Sequence, residues 1–172
     1  MGGEAGVDST PGAGSTFWFT VKLKKSGEAT SVSSAEQVDA EAQIRQRFSG
    51  YRILVADDEP MNREIAQIQL EAVDTAEDGA EAVALSQKNR YAAILMDMQM
   101  PNVNGLEATQ QIRQIPGCRH TPIIAMTANA FAEDKARCAE AGMDDFLIKP
   151  FNPDELFATL LRSLSNSSRL DR

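Results

Sequence analysis

The 172-residue sequence holds one histidine, two cysteines, one tryptophan and two tyrosines. Each shortage narrows what the chain can do. The single histidine, His120, lies among Gly117, Cys118, Arg119 and Pro122, which is loop composition and reads as surface rather than as a phosphoryl donor. Cys118 and Cys138 have no CxxC spacing, so they read as reduced thiols in a cytoplasmic setting. No apolar run approaches the roughly 20 residues of a membrane span, and no basic segment leads into an apolar core as in a signal peptide. No membrane contact by this chain is therefore expected, although a parent protein could be membrane-anchored. Lys and Arg number 17 against 25 Asp and Glu, for a net charge of −8. That balance argues against a nucleic-acid surface, which needs clustered cations. It suits a divalent cation.

What is present is a set of short apolar runs that end on polar residues. Ile94-Leu95-Met96 runs into Asp97, Ile53-Leu54-Val55-Ala56 into Asp57-Asp58, Ile123-Ile124-Ala125-Met126 into Thr127, and Phe146-Leu147-Ile148 into Lys149-Pro150. Continuous apolar runs of this length read as strands buried on both faces, as in a parallel sheet. Strand candidates are 52–56, 92–96, 121–126 and 144–148, with a weaker one at 72–76. Helix candidates alternate with them at 62–71, 79–89, 105–114, 129–141 and 153–164. Asn104-Gly105, Asn129 and Asn152-Pro153 are start signals, and Gly142 is a stop. This alternation predicts an α/β fold with helices on both faces of a parallel sheet. Ligands of such sheets bind beyond the carboxyl ends of the strands. Three acids, a hydroxyl and a lysine are expected to meet there, as a phosphoryl-transfer pocket with a magnesium site.

Two upstream regions differ in texture. Residues 1–25 are glycine-rich and then aromatic, and the alternation from Phe17 to Leu23 predicts one half-buried strand. A lone strand leaves its backbone groups unpaired, so this piece reads as a remnant of something larger, mobile or only locally packed. Residues 26–50 have the composition of a linker, with helix formers from Ala35 to Phe48 but a thin apolar stripe.

Each chemical residue type has its reason. Magnesium takes oxygen ligands, often one or two carboxylates, so Asp57 and Asp58 at one strand end and Asp97 at the next are candidate ligands. An aspartate can attack phosphorus to form an acyl phosphate when a cation offsets the charge, which makes Asp97 the nucleophile candidate. Thr127 could donate to a phosphoryl oxygen or cap its own helix. Lys149, at the end of an apolar strand, calls for a carboxylate or phosphate partner, and Pro150 raises the chance of a cis peptide before it.

Taken together, Asp57-Asp58, Asp97 in Asp97-Met98-Gln99-Met100-Pro101, Thr127 in Met126-Thr127-Ala128-Asn129-Ala130, and Lys149-Pro150 resemble the receiver (response-regulator, CheY-like) domain over residues 51–165. That resemblance implies a flavodoxin-like, doubly wound five-stranded parallel sheet in the order 2-1-3-4-5. It implies that Asp57, Asp58, Asp97 and the backbone carbonyl of Gln99 hold Mg2+, that Asp97 is phosphorylated, and that Lys149 and Thr127 bind the phosphoryl oxygens. Phe146 matches an aromatic switch position that turns inward as Thr127 moves. The implied partner is a phosphohistidine-bearing kinase or a histidine phosphotransfer protein. Gly12-Ala13-Gly14-Ser15-Thr16-Phe17-Trp18-Phe19 resembles the end of a histidine-kinase ATP-binding domain, as in a hybrid sensor histidine kinase. The resulting layout is 1–25 remnant, 26–50 linker, 51–165 receiver and 166–172 tail. The phosphorylatable histidine helix, the asparagine motif and the earlier glycine box that kinase activity needs are absent, so histidine autophosphorylation is not expected of these residues.

One departure from the family pattern bears on the fold. Gln69 to Asp78 runs from the first helix toward the second strand as if roughly five residues were missing, without the usual glycine turn. Ile65, Ile68, Ala72, Ala76, Ala80 and Val83 fall on one helical face, so an alternative is a fused helix over 62–88 that loses the second strand and favours a domain-swapped dimer over the expected monomer. Two other functions compete with the phosphoacceptor. One is a receiver-shaped interaction module with impaired phosphorylation. The other is a haloacid-dehalogenase-like phosphohydrolase, whose second aspartate would stand where Glu59 does.

Overall fold

The computed structural model describes residues 4–10, 14–20, 34–128 and 132–167. The chain divides into two compact units, residues 1–32 and 33–172. In the first, strands β1 (Ala5–Thr10) and β2 (Gly14–Phe19) form an antiparallel hairpin. This corrects the expectation of a single strand over 17–23: the aromatic segment has a partner, and 21–23 lie outside the described residues. Gly6 sits opposite Trp18, where a Cβ would collide with the indole, so the ring lies over the glycine backbone. Phe17, Trp18 and Phe19 are exposed.

The second unit begins with helix α1 (Ser34–Arg47) and continues as β3 (Ile53–Ala56), α2 (Pro60–Gln69), β4 (Val73–Ala76), α3 (Gly79–Lys88), β5 (Ala93–Asp97), α4 (Gly105–Gln114), β6 (Ile123–Thr127), α5 (Ala132–Ala141), β7 (Asp145–Ile148) and α6 (Pro153–Ser167). The five strands pair in parallel in the order β4-β3-β5-β6-β7. Counting from β3, this is the order 2-1-3-4-5. Each face of the sheet carries its own apolar layer. Ile53, Val55, Leu95, Ile124 and Met126 pack against α1, α2 and α6. Leu54, Ala56, Ile94, Met96 and Ala125 pack against α3, α4 and α5. Alternate residues thus point to opposite faces, and the strands read as unbroken apolar runs because both faces are covered.

The Asn104 amide oxygen accepts from Glu107 N–H at 3.0 Å, a cap at a start the sequence marked, and the Asp78 carboxylate, not marked there, caps α3 by accepting from the Glu81 N–H at 2.8 Å. Asn152 accepts from Glu155 N–H at 2.9 Å, whereas Asn129 lies outside the described residues. Gly142 ends α5 with φ +95°.

The weaker strand expected at 72–76 is present: residues 73–76 pair with β3, so the alternative of fused helices α2 and α3 is not realised and the motive for a swapped dimer falls away. The chain reverses over Leu70, Glu71 and Ala72. Leu70 leaves the helix straight into extended backbone (φ −114°, ψ 141°), and Ala72 O already accepts from Ile53 N–H at 2.9 Å. Stopping the helix at Gln69 lets three residues do what a glycine turn does elsewhere. In addition, much of the segment read as linker is α1. Ala40 and Ile44, with Phe48 just after the helix, are buried in the same layer as Phe157, Leu160 and Leu164 of α6. Arg45 reaches Glu71 at 2.8 Å.

Candidate active site

At the carboxyl edge of the sheet, β3 delivers Asp57, β5 ends on Asp97, β6 ends on Thr127, and β7 is followed by Lys149. Asp57 is fully buried and Asp97 is 7% exposed, while Asp58 faces solvent. Carboxylate oxygens of all three acids lie within 4.8 Å of one another. The Lys149 ammonium bridges two of them, donating to Asp57 Oδ2 at 2.6 Å and to Asp97 Oδ2 at 2.7 Å. The Lys149-Pro150 peptide is cis, and Lys149 N–H donates to Thr127 O at 2.7 Å. Asp58, Asp97, Gln99, Thr127 and Lys149 line one open cavity of about 720 Å³.

Burial pushes the Asp97 carboxyl above the ordinary aspartate value, against the hydrogen bond and charge of Lys149. Burial also works hardest against the Lys149 ammonium, yet its hydrogen bonds to Asp57 and Asp97 outweigh that and hold its pKa above the usual lysine value. Burial, more than the Asp57 charge, opposes ionisation of Asp97, and Lys149 is the cation that offsets it.

The sequence-derived residues therefore converge, with one set apart. Phe146 does not line the cavity. Its half-buried ring packs beside the α3–α5 layer, with Lys135 Nζ 4.1 Å from its centroid. His120 is an exposed loop residue, as expected. Gly105 is required at its place: a Cβ there would strike the Asp97 carbonyl, so only glycine lets α4 start against the strand end.

Two residues in the site escaped the sequence reading. Asn62 Nδ2 donates to both carboxylate oxygens of Asp57, at 3.1 and 3.2 Å. Arg63 Nη1 donates to the backbone oxygens of Asp57 at 2.7 Å and Asp58 at 3.1 Å, while its Nη2 meets Glu77 Oε1 at 3.0 Å. Their only sequence signal is position, in the first turn of the helix that follows the acids.

The donor set fits a small hard cation. All donors are oxygens, and Mg2+ at about 2.0–2.1 Å from each ligand needs opposite oxygens roughly 4.2 Å apart. Carboxylate oxygens of Asp57, Asp58 and Asp97 lie within 4.8 Å of one another, close enough for one ion to be shared among them.

Comparison with known proteins agrees with this geometry. The family model described as response regulator receiver domain matches residues 53–161. The sensor histidine kinase AruS of Pseudomonas aeruginosa is 36% identical over 184 aligned positions that cover 100% of this chain and 17% of its own length. The sensor histidine kinase RcsC of Escherichia coli is 44% identical over 112 positions, 63% of this chain and 12% of that protein. The chain thus spans less than a fifth of these relatives. Among solved structures, the receiver domain of the sensor histidine kinase PA1611 from Pseudomonas aeruginosa superposes with TM-score 0.64 at 40% identity, covering 68% of this chain and 99% of that one. That crystal structure holds a magnesium ion coordinated in its active site cleft.

Proposed function

The chain belongs to the response regulator receiver domain family of two-component systems, and from that membership we propose that Asp97 is its phosphoacceptor. The observation that carries this is the Lys149 ammonium shared between Asp57 and Asp97 at the rim of an open cavity. An Asp97 carboxylate oxygen bonds to phosphorus as the P–N bond of a phosphohistidine breaks. The bonding pair returns to the imidazole nitrogen, which takes up a proton. Lys149 then exchanges its hold on the Asp97 carboxylate for one on the new phosphoryl oxygens, and the Thr127 hydroxyl donates to another. Mg2+ would be held by Asp57, Asp58, Asp97 and the Gln99 carbonyl, and supplies charge neutralisation between carboxylate and phosphoryl group. The magnesium of the PA1611 receiver supports this assignment.

The phosphodonor is read as a phosphohistidine on a kinase or phosphotransfer protein. Met61, Ile65 and Ile68 support such a contact: they are exposed on α2, the helix that opens three residues after Asp57. Phe146 is read as the switch residue, with the Lys135 cation over its ring opposing inward rotation. Residues 1–25 are read as the tail of a histidine-kinase ATP-binding domain, which the whole-chain alignment with AruS supports. Residues 51–165 are then the receiver, and the parent is a hybrid kinase. Borohydride reduction of the chain after treatment with a small phosphodonor and Mg2+ tests the central step. It should convert residue 97 alone to homoserine, and conversion elsewhere would contradict the assignment.

A further inference from the structure

Two acids placed next to each other in a loop do not become a metal site by sequence alone. Asp57 and Asp58 stand between β3 and α2, and each backbone torsion there swings a carboxylate. What fixes the loop is the first turn of the following helix. The Arg63 guanidinium spans the consecutive carbonyls of Asp57 and Asp58, at 2.7 and 3.1 Å, so both peptide planes are pinned by one rigid fork. Its other nitrogen is held by Glu77 after β4, and Glu77 N–H is itself tied to Glu81 Oε2 at 2.9 Å. The Arg63 side chain is only 13% exposed, so its guanidinium is held in place against the loop, while Glu77 meets it from the solvent side. Asn62, one residue earlier, donates to both oxygens of the Asp57 carboxylate, and Glu59 N–H donates to Oδ1 at 3.0 Å.

We propose that Asn62 and Arg63 are the positioning residues of the acidic pair, Asn62 orienting the Asp57 carboxylate and Arg63 its backbone and that of Asp58. The inference rests on the magnesium reading of the site and adds what prepares it. With both of their backbone carbonyls engaged by Arg63, Asp57 and Asp58 offer a cation their carboxylates, beside Asp97 and the Gln99 carbonyl. Groups that orient ligands in this way typically change metal affinity by about 10–100-fold when removed.

The sign of the effect separates positioning from simple charge. Arg63 is a cation near a cation site, so deleting a mere bystander charge would tighten Mg2+ binding. Deleting a positioning group weakens it. Calorimetric titration of the full chain with MgCl2, with thermal unfolding as the fold control, should give dissociation constants about tenfold higher for Arg63→Met and for Asn62→Ala. Arg63→Lys, which cannot fork, should recover only part of the affinity. In labelling assays the Mg2+ concentration needed for half-maximal labelling should rise by a similar factor. If Arg63→Met does not fold, Asn62→Ala and Glu77→Gln decide the matter, the latter by a smaller loss from a freed guanidinium. Wild-type or tighter affinity in the folded variants overturns the inference and leaves the site reading intact. A wild-type chain that binds no Mg2+ overturns that reading and the inference with it.

Discussion

Asp97 carries two opposed demands. It must be ionised to attack phosphorus, yet burial favours its neutral form, and Lys149 and the Gln99 N–H at 3.2 Å help hold the charge in place. Because its folded pKa lies above the ordinary value, the stabilising state is the protonated one. Its contribution is full below the unfolded pKa and is lost as pH rises through the raised folded value. Lys149 has the same sign at the alkaline end: its contribution is full below the ordinary lysine pKa and is lost as pH rises through its raised value. In a Mg2+-free carbon-detected titration, Asp97 should therefore ionise above the ordinary aspartate range, and Lys149→Met should move it higher still. A midpoint at the ordinary value, or one lowered by the substitution, would contradict the picture. At this scale the sequence was most readable where a residue ends a buried strand. Asp57, Asp97, Thr127 and Lys149 stand out because an apolar run makes a polar terminus conspicuous. Asn62 and Arg63 do not, because polar residues in the first turn of an exposed helix are ordinary, and only the folded distances show where they reach.

Among the elements, α1 departs furthest from what its composition promised. A stripe of Ala40, Ile44 and Phe48 is too thin to declare itself beside Ser, Glu and Gln, yet those three side chains close the layer that α6 and the short α2 leave open. Ile44→Ala should cost about 2–3 kcal/mol in urea unfolding of the whole chain, the lower part of the range for a buried isoleucine. A change under about 0.5 kcal/mol, as for an exposed surface position, would restore the linker reading. The connection after α2 leaves a fused helix open as an alternative in the sequence for a different reason. Helical periodicity through Ile65, Ile68, Ala72 and Ala76 is real in the letters, but Val73, Asp74 and Thr75 favour leaving the helix, and pairing with β3 decides it. Asp74 is held there by Tyr91 Oη at 2.6 Å and Arg52 at 2.6 Å. Strand order, by contrast, followed from the resemblance and matches without change.

At the scale of the molecule, a chain of net charge −8 gathers three carboxylates and one ammonium at one end of its sheet. That concentration is unfavourable unless a cation or a phosphoryl-binding role accompanies it. No helix among the described residues is long and apolar enough to cross a membrane. The haloacid-dehalogenase reading would make Asp57 the nucleophile. That residue is fully buried behind Lys149 and Asn62, whereas Asp97 lines the cavity. Everything then turns on whether Asp97 takes a phosphoryl group in a metal-dependent way. Intact-mass spectrometry after exposure to a small phosphodonor is the direct measurement. The chain should gain the mass of one phosphoryl group with Mg2+, and none after chelation or in Asp97→Ala. Gain without metal, or gain that survives Asp97→Ala, would contradict the account.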